Sequence, residues 1–168
     1  GWFDKRFMYE ESLRMPVLVR WPAAIRAGSR TEALALNVDF APTFLEAAGA
    51  PVPASMQGRS LLPVLRGDTP GDWRTAIYYR YYHDPGHHNT RAHYGVRTAT
   101  HKLIHYWKKD QWELFDLRSD PPELRNLYGQ AGQEAITAEL KATLARLRTE
   151  LQDDDRFAHE QPPAGVDG

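Results

Sequence analysis

Apolar positions fall in short, punctuated runs over the first part of the chain and in strand-length runs over the second. Val17-Leu18-Val19-Arg20-Trp21 lies between Pro16 and Pro22. Proline bracketing around a β-branched run predicts a strand buried on at least one face. Residues 24–31 carry Gly28 and Ser29 and read as a turn. From Asn37 the pattern turns helical. Asp39 is placed to cap free N–H groups, Pro42 suits a first turn, Phe44, Leu45 and Ala48 share an inward face, and Gly49 is a natural stop. Residues 50–60 form a Pro/Gly loop. Ser60 can then cap a second short helix through Leu65, ended by Gly67. Residues 67–74 are rich in turn formers and mark the best internal boundary.

Four strand-like runs follow, at 76–82, 93–98, 102–107 and 112–117, each rich in aromatic or β-branched residues. Short polar connections between the last three are the signature of an antiparallel meander. Asp120-Pro121-Pro122 forces a turn. Over 133–152, Ile136, Leu140, Leu144, Leu147 and Leu151 form one apolar stripe on a helix. That stripe should pack on one face of the meander, which makes the fold class α+β. Beyond Asp153 the chain is acidic and then rich in Pro and Gly, a composition that frays.

Composition narrows the function classes. The 21 Lys and Arg against 22 Asp and Glu give a net charge of −1, with no electrostatic footprint for nucleic acid or an anionic membrane. No apolar run approaches the roughly 20 residues that span a bilayer. With 42% apolar residues the chain can build a core. Cysteine is absent, so disulfides, thiolate zinc sites and cysteine nucleophiles are excluded. The opening Gly1-Trp2-Phe3-Asp4-Lys5-Arg6 resembles the middle of a larger protein, and the chain is expected to be a fragment.

Three groups of residues bear on chemistry. Lys5 lies among Arg6, Glu10, Glu11 and Arg14; it is either part of a solvated loop or a point charge for a sulfate or phosphate group. Five of the seven histidines, at 83, 87, 88, 93 and 101, cluster near Asp84 and Asn89. Their spacing fits no HExxH-type metal pattern. They read first as a substrate-contacting polar loop over 83–92, presented by flanking strands, or as plain surface histidines, with a metal site held by imidazoles the weakest alternative. Tyr78, Tyr79, Tyr81, Tyr82, Tyr94, Tyr106, Trp107 and Trp112 could form a sugar-stacking platform, although sheet packing explains them as well. There is no G-x-S-x-G elbow, no P-loop and no dinucleotide turn.

Five stretches taken in order resemble the C-terminal part of sulfatases of the alkaline-phosphatase-like superfamily. The first, residues 1–16, places Lys5 before Tyr9-Glu10-Glu11-Ser12-Leu13-Arg14-Met15-Pro16, like the family's lysine ahead of (Y/F)E-x-x-x-R-x-P. Val38-Asp39-Phe40-Ala41-Pro42-Thr43-Phe44-Leu45-Glu46-Ala47-Ala48-Gly49 resembles the family helix VD-x-x-PT-x-L-x-x-AG. Gly58-Arg59-Ser60-Leu61-Leu62-Pro63 is similar to the element after it. Tyr94-Gly95-Val96-Arg97-Thr98 with Lys102-Leu103-Ile104 is a fourth match. Glu113-Leu114-Phe115-Asp116-Leu117, Asp120-Pro121 and Glu123-Leu124-Arg125-Asn126-Leu127 complete the set. The His-rich loop and Trp112-Glu113 look most like the subgroup acting on sulfated N-acetylglucosamine or related glycosaminoglycan and mucin sugars.

The resemblance implies a C-terminal fragment of an α/β sulfatase fold, with a four-stranded antiparallel sheet packed against a long C-terminal helix. Residues 1–70 would be the tail end of the catalytic domain, 71–155 the sheet-plus-helix subdomain and 156–168 a disordered tail. The implied activity is sulfate-ester hydrolysis on sulfated carbohydrate. Lys5 would contact the sulfate, and the sugar would be met by His88, His93, Asn89 and Arg91. Ca²⁺ and formylglycine are implied for the intact enzyme, with no metal site in this fragment. No serine heads the x-Pro-x-Arg that formylglycine formation needs, so the fragment alone is expected to be inactive. The missing N-terminal part of the same protein would be its partner, and a periplasmic or secreted location is implied. Two other readings stand beside this one: a non-catalytic sugar-binding or structural module, and a phosphonate or phosphate ester hydrolase of the same superfamily.

Overall fold

The computed structural model describes residues 5–160. Gly1 to Asp4 and the tail 161–168 lie outside the described residues. The chain divides into two compact units, Gly1–Pro16 together with Ala76–Gly168, and Val17–Thr75.

In the first unit, strands β1 (Ala76–Tyr81), β2 (His93–Thr98), β3 (His101–Tyr106) and β4 (Gln111–Asp116) form one antiparallel sheet in the order β1-β2-β3-β4. This is the expected meander. Its register puts Tyr78, Val96, Leu103 and Leu114 on one face and Tyr79, Gly95, Ile104 and Glu113 on the other. A final helix (Glu134–Glu150) covers the first face through Leu140 and Leu144, which are 1% and 3% exposed. Ile136 and Leu147 pack at the margin of that core. Leu151, the last residue of the stripe, sits just beyond the helix and is exposed.

The second face is covered by residues 7–13, including a one-turn helix, Glu10–Leu13. Met8, Ile104, Tyr106 and Phe115 form the core there. A sheet with both faces apolar must be covered on both. Residues 5–16 therefore belong with the sheet, and the border expected after residue 70 falls at Thr75/Ala76 instead.

The chain beyond the long helix does not fray at once. Asp153 accepts hydrogen bonds from Tyr78 and from the buried Arg80 guanidinium, Arg148 pairs with Asp155 at 2.7 Å, and Ala158 is buried. The tail expected to be disordered from residue 156 is thus ordered through its first turn.

In the second unit, a 3₁₀ turn (Asn37–Asp39) leads into a helix, Phe40–Ala47, and a short helix follows at Leu62–Arg66. Gly49 and Gly67 end these helices in the left-handed conformation expected of them. Asp39 is buried and caps the 3₁₀ turn, not the Phe40–Ala47 helix itself. It accepts the Leu36 and Arg59 N–H groups and a bidentate pair from Arg74 at 2.5 and 2.7 Å. Leu61, Val64 and Trp73 make the core of this unit. The inward side of the Phe40–Ala47 helix is Pro42 and Thr43; Phe44 is 70% exposed and Ala48 is exposed too. Residues 17–21 form no strand: they run without a paired neighbour among the described residues, and Leu18 is 94% exposed.

Candidate functional site

The segment after Lys5 is laid residue by residue across the second face of the sheet. Tyr79 donates its hydroxyl proton to the Arg6 carbonyl at 2.7 Å. The Phe7 ring stacks on His93, with centroids 5.4 Å apart. Met8 is fully buried over Gly95, where any side chain would collide with its sulfur and with the Leu103 carbonyl. Tyr9 donates to Glu113 at 2.9 Å and also meets the Tyr106 hydroxyl. Burial, with the Glu113 carboxylate beside it, pushes the Tyr9 hydroxyl up to about 12.

Glu10 completes the tether. Its carboxylate takes Arg97 at 3.0 Å and Lys102 at 2.9 Å, and its N–H donates to Glu123 at 2.6 Å. Lys102 is wholly buried and also pairs with Glu123 at 2.7 Å. Burial raises the pKa of both carboxyls. At Glu10 the two cations outweigh it and hold the group below its usual range; at Glu123 burial wins and the group is raised.

The loop between β1 and β2 rises from the same end of the sheet as Arg6 and Phe7. Asp84 fixes its base by accepting Arg91 at 3.2 Å and the Ala92 N–H at 3.3 Å; Gly86 donates to the Thr90 carbonyl at 2.7 Å. At its tip His88 and Asn89 are exposed and left-handed, with φ of 53° and 61°. A cleft of about 510 Å³ opens at this end as well, lined among others by Arg91, Tyr106, Trp112, Glu113 and Tyr128. Trp112 stacks on His105 at 3.8 Å, and Lys141 sits 4.2 Å from its ring centroid.

Lys5, His88, Asn89 and Arg91 are thus presented at one end of the sheet, Lys5 and the loop tip in exposed positions. His93 is not. It is 0% exposed, enclosed by Phe7, Tyr79, Tyr81 and Tyr106, and its Nδ1 faces the Arg91 carbonyl at 2.7 Å. Burial lowers its pKa and keeps the ring neutral. The direct sugar contact expected of it does not match that position: the ring supports Phe7 from below. The aromatic residues of the strands chiefly pack the two faces. Lys102, Glu113 and Glu123 are legible in the sequence only as parts of family motifs, without a role, because Glu10 and Tyr9, which they meet, lie about a hundred residues earlier. The one available signal was a lysine inside an otherwise apolar strand run. Among the described residues no group of three His, Asp or Glu could hold a metal ion.

The profile of the family described as N-sulphoglucosamine sulphohydrolase, C-terminal, matches residues 1–150. An N-acetylglucosamine-6-O-sulfatase of Bacteroides thetaiotaomicron is 50% identical over 158 residues, covering 92% of this chain and 28% of that protein. The solved structure of BT4656 in complex with its substrate D-glucosamine-2-N,6-O-disulfate matches with a TM-score of 0.90 at 48% identity, over 95% of this chain and 33% of that one. A phosphonate monoester hydrolase of Silicibacter pomeroyi matches at 26% identity and a TM-score of 0.65, over 75% of this chain and 27% of that one. The chain therefore spans about a third or less of the length of these relatives.

Proposed function

The chain belongs to the sulfatase family defined by this C-terminal region, and from that we propose that it is the C-terminal part of an enzyme hydrolysing sulfate esters on sulfated sugars such as N-acetylglucosamine 6-sulfate. The observation that carries the proposal is the 50% identity over nearly the whole chain to a sulfatase named for that sugar. A structural match at a TM-score of 0.90 to a protein bound to a disulfated glucosamine supports it. The phosphonate hydrolase matches at a lower TM-score and about half that identity, so a phosphoryl substrate is the weaker reading.

Lys5 is the sulfate contact of this chain. A lysine ammonium is a compact point charge that can neutralise a sulfate oxygen as negative charge develops on it. Calcium and formylglycine are cofactors implied for the whole enzyme; among the described residues no group of three His, Asp or Glu could hold a metal ion, and the chain has no cysteine and no serine ahead of x-Pro-x-Arg. What the chain supplies is charge at Lys5 and recognition by the loop above it. His88, Asn89 and Arg91 offer directional donors and acceptors to a neutral polyol, with the cleft beside Arg91 as room for the ring.

The test is steady-state kinetics on the full-length protein. It should turn over N-acetylglucosamine 6-sulfate and small aryl sulfates in preference to a phosphonate monoester. His88→Ala or Asn89→Ala should lower kcat/KM for the sugar sulfate by about 10-fold, the worth of roughly one hydrogen bond, and leave the aryl sulfate nearly unchanged. Preference for the phosphonate would overturn the sulfatase reading; unchanged turnover of the sugar by the loop variants would show that these side chains face solvent and do not touch the substrate.

A further inference from the structure

We propose that the second face of the sheet is the device that positions Lys5, with Tyr79 and His93 as positioning residues acting through Arg6 and Phe7. The proposal rests on the reading of Lys5 as the sulfate contact. Alternate residues of β2 receive the segment in order: His93 takes Phe7, Gly95 takes Met8 and Arg97 takes Glu10. Each step has its own chemical key. The Arg6 carbonyl has one tyrosine hydroxyl, Met8 has a pocket that only glycine leaves open, and Glu10 has two cations.

A slip one way would put the Tyr9 ring over Gly95, and a slip the other way would put Tyr9 where Glu10 lies and leave Lys102, wholly buried, without one of its two carboxylates. Removing one partner of a buried charge is among the costliest changes a fold can suffer, and buried ion pairs are best attested as setters of register. The segment therefore has one register on the sheet, and Lys5 leaves it one residue before the tyrosine-held carbonyl. Lysine is flexible, so the placement of its charge depends on the placement of its backbone. A catalytic group displaced by about 1 Å loses on the order of 100-fold in rate. On this account the sheet unit helps build the catalytic site through Lys5. The burial of His93 is explained as well: its ring is the floor on which Phe7 rests.

The experiment is a double-mutant cycle in the full-length enzyme with Tyr79→Phe, which removes the hydroxyl and keeps the ring, and Lys5→Ala. Tyr79→Phe should lower kcat by about 10-fold with KM within about threefold, equally on the sugar sulfate and a small aryl sulfate, since both carry the sulfate that Lys5 serves. In the Lys5→Ala background the same change should cost less than about twofold. His93→Ala should lose activity equally on both substrates, and thermal melting should show all variants folded at the assay temperature. Independent, multiplying losses from Tyr79→Phe and Lys5→Ala overturn the positioning role and leave Lys5 as the sulfate contact. A loss confined to the sugar substrate in His93→Ala overturns it too. No loss in Lys5→Ala overturns the reading of Lys5, and the positioning role with it.

Discussion

His93 shows at the scale of one residue what sequence and structure each contribute. Read along the chain, it closes a histidine-rich loop and looks like a substrate contact. In the structure it is the first residue of β2, and its side chain points to a face covered by residues that lie more than eighty positions earlier. No local pattern announces that cover, so its burial was not legible, whereas the exposed tip formed by His88 and Asn89 was. Burial lowers the pKa of His93 below the ordinary 6.5 and outweighs the Arg91 carbonyl, which acts the other way. Unfolding then takes up a proton at mildly acidic pH. The stability His93 contributes is complete at neutral pH and is lost as pH falls from about 6.5 towards the lowered folded value. The slope is about 1.4 kcal/mol per pH unit where the unfolded chain alone is protonated. Urea midpoints between pH 7.5 and 5 should therefore fall for the native chain and fall less for His93→Phe. His105, lowered by burial on the other face, is present in both proteins and cancels. Parallel curves for the two proteins would show that His93 titrates as an exposed histidine does.

At the scale of elements, what the chain decides locally was readable. The four strands and the long helix follow from period-2 and period-3.6 patterns whose partners are the next elements along the chain. Leu144 is the sharpest check. It is buried between the helix and the sheet, so Leu144→Ala should destabilise by about 2–5 kcal/mol in urea unfolding, as large core truncations do. A loss below about 0.5 kcal/mol would mean that the stripe faces solvent. Phe44→Ala, at an exposed position of its helix, should stay within about 0.5 kcal/mol in the same chain. Val17–Trp21 and Phe44 are where the local pattern misled. Their apolar character calls for cover, yet Val17, Leu18, Val19 and Phe44 stay between 46% and 94% exposed. The same pattern is what elements of a larger α/β layer would carry, and it agrees with a chain that spans about a third or less of its relatives.

At the scale of the molecule, the chain divides its labour unevenly. It holds a lysine at the end of a segment laid on a sheet, an exposed polar loop at the same end, and an aromatic-lined cleft beside them. On the proposed reading these bind and orient an anionic sugar, and none of them is a nucleophile for sulfur. Of the nucleophiles a sulfate ester requires, cysteine is absent and no serine stands in the sequence context that converts it. Electrostatic stabilisation by one exposed lysine in water is weak, because solvent screens it. The purified 168-residue chain should accordingly show no hydrolysis of an aryl sulfate or of N-acetylglucosamine 6-sulfate above the buffer rate, with or without added calcium. The measurement is product release under conditions in which circular dichroism shows the sheet intact, so that a null result reports chemistry and not unfolding. Turnover above buffer that disappears in Lys5→Ala would place a complete site within these residues and sink the division of labour drawn here.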